Sequence, residues 1–182
     1  MGKFNFIKTS IDGVIIVEPT AYGDSRGYFM ETYQEKDFKA GGITVDFVQD
    51  NQSMSTKGVL RGLHFQIEHS QSKLVRCIRG EVFDVAVDLR EGSPTYGKWE
   101  GVILSAENKK QFFIPKNFAH GFLVLSDEAE FCYKVDDFYY PNDEGGYMWN
   151  DPEIGVKWPI PEGMEINLSD KDKLHPPFVP KK

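Results

Sequence analysis

The sequence is short of cysteine, of positive charge and of long apolar runs, and each shortage removes a class of protein. Cys77 and Cys132 stand isolated, with no CxxC spacing. Two such residues neither staple a small fold nor suggest a zinc site, so buried free thiols are expected. Nothing approaches the roughly 20 consecutive apolar residues that cross a bilayer, and the N-terminus has no charged segment followed by an apolar core. A cytoplasmic protein without a membrane partner is expected. Lys and Arg number 21 against 28 Asp and Glu, a net charge of -7. The average field therefore repels a phosphate-rich polymer, and nucleic acid is not an expected partner. A small anion would need a local basic patch, for which Arg26, Arg61, Lys73 and Arg76 are candidates, although most Lys and Arg are simply solvated. No repeat, low-complexity tract or linker divides the 182 residues, so one domain is expected.

What is present points to strands. Aromatic residues make up 14%, and short Val, Ile and Phe runs are bounded by Gly and Pro, the pattern of an all-β protein. Residues 1–33 read as two extended pieces joined by a turn at Gly23 to Gly27, and the one helical stretch, Gln34 to Ala40, is stopped by Gly41-Gly42. Eight strands follow: Thr44 to Gln49, Val59 to Gln66, Lys73 to Arg79, Glu81 to Arg90, Lys98 to Leu104, Gln111 to Ile114, Gly121 to Leu125 and Ala129 to Val135. That density suits a jelly roll. The expected layout is an N-terminal arm (1–42), a jelly-roll core (43–140) and a Pro-rich capping segment (141–182) with a few short helices. Within Glu81 to Arg90, Phe83, Val85, Val87 and Leu89 alternate with Asp84, Ala86 and Asp88. One face would meet the core, and the aspartates would face water or a wet interior.

The densest segment is Gly58-Val-Leu-Arg61-Gly62-Leu-His64-Phe-Gln66. Period-two geometry sends His64 and Arg61 to opposite faces unless a bulge intervenes, and Gly62 is a plausible place for one. A lone strand histidine is ordinarily a hydrogen-bonded core residue; here a second segment, Phe112-Phe-Ile-Pro115-Lys-Asn117-Phe-Ala-His120-Gly-Phe122, supplies company. The two segments resemble the paired motifs of the cupin superfamily, whose three histidines and glutamate hold one metal. Gln66 stands for the second histidine, Lys73 falls near the glutamate's place, and Asn117 replaces a glycine. An ammonium in the shell repels a cation, so no metal and no cofactor are expected. His69, in a polar loop, is expected to be solvated.

Further stretches arrive in order: Gly23-Asp24-x-Arg26-Gly27-Tyr28-Phe29-x-Glu31, Val48-Gln49-Asp50-Asn51, Leu60 to Gln66, Lys73-Leu74-Val75-Arg76, Gly80 to Val85, Ile114 to Phe122, Tyr133-Lys134, Trp149-Asn150-Asp151 and Ser169-x-Lys171-Asp172. Together, over about residues 6–175, they resemble the signatures of the dTDP-4-dehydrorhamnose 3,5-epimerases, metal-free cupins. The resemblance implies epimerisation at the two carbons flanking the ketone of a dTDP-linked 4-keto-6-deoxy sugar. It implies His64 as base, Asp172 orienting it, Lys73 holding an enolate, and Tyr133 as acid on the opposite face. Asp170 competes with Asp172 for the orienting role, and Tyr133 could be an ordinary strand tyrosine. For binding, the resemblance implies Arg26 and Glu31 reaching from a neighbouring subunit and Gln49, Asp50, Asn51 and Arg61 at the diphosphate and nucleoside. It also implies His120 in the sugar pocket, Tyr139 stacked on thymine (Tyr140 if the register slips), and Glu144 and Lys171 as further polar contacts. A homodimer with exchanged N-terminal strands follows from the same likeness. Two rival readings remain: a related cupin that epimerises one carbon or isomerises the ketone, and a sugar-binding cupin without catalysis.

Overall fold

The computed structural model describes residues 3–180. Thirteen strands and two short helical pieces follow in chain order: β1 (Phe4–Lys8), β2 (Ile15–Pro19), β3 (Tyr22–Asp24), β4 (Gly27–Phe29), α1 (Glu35–Ala40), β5 (Gln49–Thr56), β6 (Leu60–Gln66), β7 (Lys73–Arg79), β8 (Glu81–Asp88), β9 (Trp99–Ser105), β10 (Gln111–Ile114), β11 (Phe118–Val124), β12 (Glu128–Val135), β13 (Glu144–Gly146) and a single 3-10 turn (Asp172–Leu174). Two antiparallel sheets face each other as a jelly roll, one in the order β1-β2-β10-β7-β12-β5 and the other β13-β6-β11-β8-β9. Between them lies a core to which the first sheet contributes Val75, Phe112 and Phe131 and the second Val82, Ala86 and Phe122.

Each sheet is also partly covered on its outer face, which is why β8 and β10 are buried on both sides. Against the first sheet packs α1, capped by the Gln34 side chain accepting from the Asp37 N–H at 3.1 Å. Six residues cannot hold a helix by propensity. What holds this one is the fully buried Phe38, whose ring meets Phe4, Phe6 and Tyr33 edge-on at 5.0, 5.3 and 4.9 Å, contacts worth about 1 kcal/mol each beyond burial. Against the second sheet the C-terminal segment lays Ile154, Trp158 and Phe178 over Val85, Val87 and Phe83. Asp151 pins that cover, accepting from the N–H groups of Glu153, Ile154 and Phe178.

Four sequence expectations change. In β8 both faces are buried: Phe83, Val85 and Val87 meet the C-terminal cover, while Ala86 faces the inter-sheet core and Asp84 and Asp88 are fully enclosed. Asp88 is satisfied there by Arg90, Ser93 and Thr95. The strand expected at Thr44 to Gln49 lies instead at Gln49–Thr56, and Val45 and Phe47 pack on the outer cluster around Phe38. The N-terminal stretch forms two hairpins: β1 pairs with β2, which continues onto β10, and the Gly23 to Gly27 turn closes the separate pair β3–β4. Both thiols are free, but only Cys77 is buried, its pKa pushed up to about 11 by that burial; Cys132 is half-buried. Among the described residues no helix is long and apolar enough to cross a membrane.

Candidate active site

The cavity between the sheets has a volume of about 420 Å³ and is lined from β5, β6, β7, β11 and β12, with Tyr139 and Glu144 beside them. Strand β6 carries Arg61 and His64 into it together because the register against β11 slips: His64 pairs with His120, but Arg61 pairs with Phe122, an extra residue on the β6 side. Gly62 permits the bulge. Its φ is +135°, and a Cβ there would stand 2.5 Å from the Cα of Gly121, closer than any side chain tolerates. Asn117 likewise takes the glycine-like conformation its motif position demands, with φ 63°.

From the five-stranded wall come His64 and His120, each held by a carboxylate. The His64 Nε2 is hydrogen-bonded to Asp172 Oδ1, whose other oxygen accepts from the Ser169 hydroxyl at 2.7 Å. Burial works against charge on Asp172, but the bonds from His64 and Ser169 prevail and hold its carboxyl below the usual range. His120 Nε2 meets both oxygens of Asp84 at 3.0 and 2.9 Å. There burial dominates, lowering the pKa of His120 and raising that of Asp84. From the six-stranded wall come Lys73 on β7 and Tyr133 on β12, which register as near diagonal neighbours. Burial lowers the Lys73 pKa to about 8, with Asp84 pulling the other way. Burial also raises the Tyr133 pKa, keeping the phenol protonated at neutral pH, while the Arg61 charge acts against it.

Strand β5 explains its own illegibility. Gln49, Asn51 and Ser53 point into the cavity, and Ser55 accepts from Arg61 at 2.9 and 3.2 Å. The positions that would be apolar in a structural strand are polar because they line a site. Asp50, between them, faces the outer side of the sheet and pairs with Lys134 at 2.8 Å; it is not brought to the cavity. Neither is Arg26, which is exposed and paired with Asp24 at 2.6 Å, nor Glu31, which pairs with Lys3. Tyr139 and Glu144 line the mouth, and Lys171 contacts Glu144 across it. Tyr140 stacks on His69 at 3.9 Å, and His69 in turn meets Asp143 at 3.0 Å, so this loop histidine is exposed yet partnered. Asp170 faces solvent against Lys173 and is not brought to His64.

Several contributors escaped the sequence reading. Gln66, in the place of a cupin histidine, donates to the carbonyls of His69 and Phe138 and accepts from Tyr140 N–H at 2.7 Å, fixing the loop that presents Tyr139. Asp84 gave a faint signal as a polar residue at an inward position; Phe122 and Phe131, stacked at 4.4 Å, floor the cavity. His175, in a tail without recognisable pattern, brings its Nε2 to 3.5 Å from Asp172 Oδ1 and its ring to 5.4 Å from that of His64. The cupin metal position, with His64, Gln66, Lys73 and His120 around it, does not fit a cation: an ammonium and an amide stand where carboxylate and imidazole ligands would be needed.

Comparison with known proteins shows the family. The sequence model described as dTDP-4-dehydrorhamnose 3,5-epimerase matches residues 8–179. The protein of that name from Methanothermobacter thermautotrophicus is 58% identical over 178 residues, covering 98% of this chain and 96% of its own. Among solved structures, a dTDP-6-deoxy-D-glucose-3,5-epimerase from Legionella pneumophila, in complex with dTDP-4-keto-L-rhamnose, superposes with a TM-score of 0.92 at 54% identity, covering 96% of this chain and 92% of that one. A 3'-monoepimerase from Streptomyces bikiniensis in complex with dTDP-quinovose reaches 0.86 at 34% identity, covering 93% and 85%. With the match spanning both sheets, the bulged β6 and the segment that carries Asp172, this chain belongs to the dTDP-4-dehydrorhamnose 3,5-epimerase family.

Proposed function

We propose that the chain converts dTDP-4-dehydro-6-deoxy-D-glucose to dTDP-4-dehydro-L-rhamnose by inverting C3 and C5, a step of dTDP-L-rhamnose biosynthesis. One observation carries the reading: an imidazole backed by a carboxylate and a protonated phenol enter one cavity from facing sheets. His64 takes the proton alpha to the C4 ketone, and the electron pair moves onto O4 as an enolate that the Lys73 ammonium stabilises. Tyr133 delivers a proton to the other face of that carbon; its phenolate then recovers a proton from solvent, and the His64 imidazolium releases one to solvent. A base working alone on one face would only restore the starting configuration. The same cycle then runs at the second carbon. Arg61 suits the diphosphate, its guanidinium aimed by Ser55; Gln49, Asn51 and Tyr139 serve the nucleoside, and His120 the sugar.

The deciding measurement is turnover in deuterated water with mass spectrometry of the product. Two carbon-bound deuterons are expected; one alone would favour the single-carbon reading, which the likeness to a 3'-monoepimerase keeps in view. Tyr133→Phe separates the two proton-transfer roles. The variant should still lose substrate C–H protons to His64, so exchange persists, while inverted product falls by about 10²–10³. Loss of exchange and inversion in equal measure would refute the assignment.

A homodimer also belongs to this reading. Arg26 and Glu31 lie on or beside the β3–β4 hairpin, whose Tyr22, Tyr28 and Phe29 are more than half exposed. Such a patch is costly in water and suits a neighbouring subunit, into whose cavity Arg26 and Glu31 would reach. β1 and β2 continue the six-stranded sheet of their own chain, whereas the β3–β4 hairpin joins neither large sheet, so the hairpin is the N-terminal element suited to exchange. Sedimentation should give a dimer, and Tyr28→Asp with Phe29→Asp a monomer. A monomeric wild type at assay concentration would overturn it.

A further inference from the structure

We propose that His64, Asp172 and His175 form a divalent-cation site, matched to zinc, whose occupation switches the enzyme off. Their donor atoms all lie within 4.8 Å of one another. Ligand atoms on a tetrahedral zinc stand ~3.4 Å apart, and His175 Nε2 already stands 3.5 Å from Asp172 Oδ1. The His64–Asp172 hydrogen bond would have to open by a small retreat of the ring to admit the ion.

Two independent features point to a ligand. His175 is nine-tenths buried, and its Nε2 has no hydrogen-bond partner although it is aimed at a carboxylate. A nitrogen lone pair facing a carboxylate oxygen needs a proton or a cation between them. The carboxylate is also oriented for the task, since Ser169 occupies Oδ2 and leaves Oδ1 to the imidazoles, as outer-shell hydrogen bonds do at metal sites. His64 and Asp172 border a second cavity of about 300 Å³, walled by Val59, Leu60, Arg61, Asn167 and Leu168, which neither Lys73 nor His120 lines. That opening supplies an entry path and room for a water as fourth ligand. The site shares His64 with the cupin metal position but none of Gln66, Lys73 or His120. Of the neighbouring cations, Arg61, which also lines that opening, is held by Ser55, and Lys171 by Glu144.

The binding stands alone; the inhibition rests on His64 being the base, because a cation on Nε2 leaves the ring proton on Nδ1, the nitrogen that must accept the substrate proton, and captures the carboxylate that orients the ring. The full chain, stripped with chelator and dialysed, should bind one Co²⁺ with the visible absorption of a low-coordinate complex, and Zn²⁺ should displace it. His175→Gln should weaken Co²⁺ binding on the order of a hundredfold, whereas Asp170→Asn, at an exposed neighbour, should not change it. In the wild type, Zn²⁺ should perturb the imidazole NMR signals of His64 and His175 and spare those of His69 and His120, a readout that needs no variant to fold. No Co²⁺ complex, one that His175→Gln leaves intact, or Zn²⁺ acting on His120 instead would overturn the site. Saturation of the site with full turnover would leave the binding standing and count against His64 as the base.

Discussion

His64→Ala should abolish solvent exchange and epimerisation while dTDP still binds. Positioned general bases contribute about 10²–10⁴ in rate, or roughly 3–5.5 kcal/mol. Nothing else in the cavity replaces this one, because His120 is engaged with Asp84 and burial holds its basicity down. The nucleotide half should be untouched, since Arg61 is held by Ser55 and Tyr139 is presented by the Gln66-braced loop, neither through His64. Truncation does strand Asp172, whose side chain is 3% exposed, so His64→Gln, which can still donate to that carboxylate, is the companion variant. Calorimetric titration with dTDP should give wild-type affinity for both, and deuterium incorporation should be missing in both. Exchange at more than a hundredth of the wild-type rate would mean the proton is removed by another group.

Lys73→Met should lower kcat by about 10²–10³, the usual effect of deleting one preorganised partner of a developing oxyanion. The wild type carries a matching pH signature. Burial has brought the ammonium from 10.5 to about 8, so kcat/KM, which reports the free enzyme, should fall as pH rises through about 8 and the positive charge disappears. Stability runs the other way. Between about 8 and 10.5 the unfolded chain holds this proton more tightly than the folded one, so the residue's contribution to stability rises with pH across that window and its burial cost is fully present below it. Lys73→Met should abolish both the alkaline limb and that slope. A limb that survives in the variant would place the titration elsewhere.

How much of this was legible follows from which physical signal each residue obeys. Strands β6, β7, β8 and β12 were readable because apolar residues at alternate or adjacent positions between polar or Gly turns report burial directly. Strand β5 was not: its inward residues serve a cavity, so Gln49, Asn51 and Ser53 erase the alternation. His64, Lys73, Tyr133 and Asp172 were found through motif order. Asp84 and His175 were missed because a lone Asp or His carries no pattern until its partner is known.

By itself the sequence determined the fold class, the order of the strands and the donor set that excludes a cupin metal, for composition, periodicity and residue identity are local properties. Only the tertiary structure decided that Arg61 and His64 share a cavity, that Asp172 comes across 108 residues to the imidazole, and that Asp50 turns away. Those outcomes depend on a one-residue slip at Gly62 and on contacts between distant strands, whose energies are set by packing and register that no neighbouring residues encode.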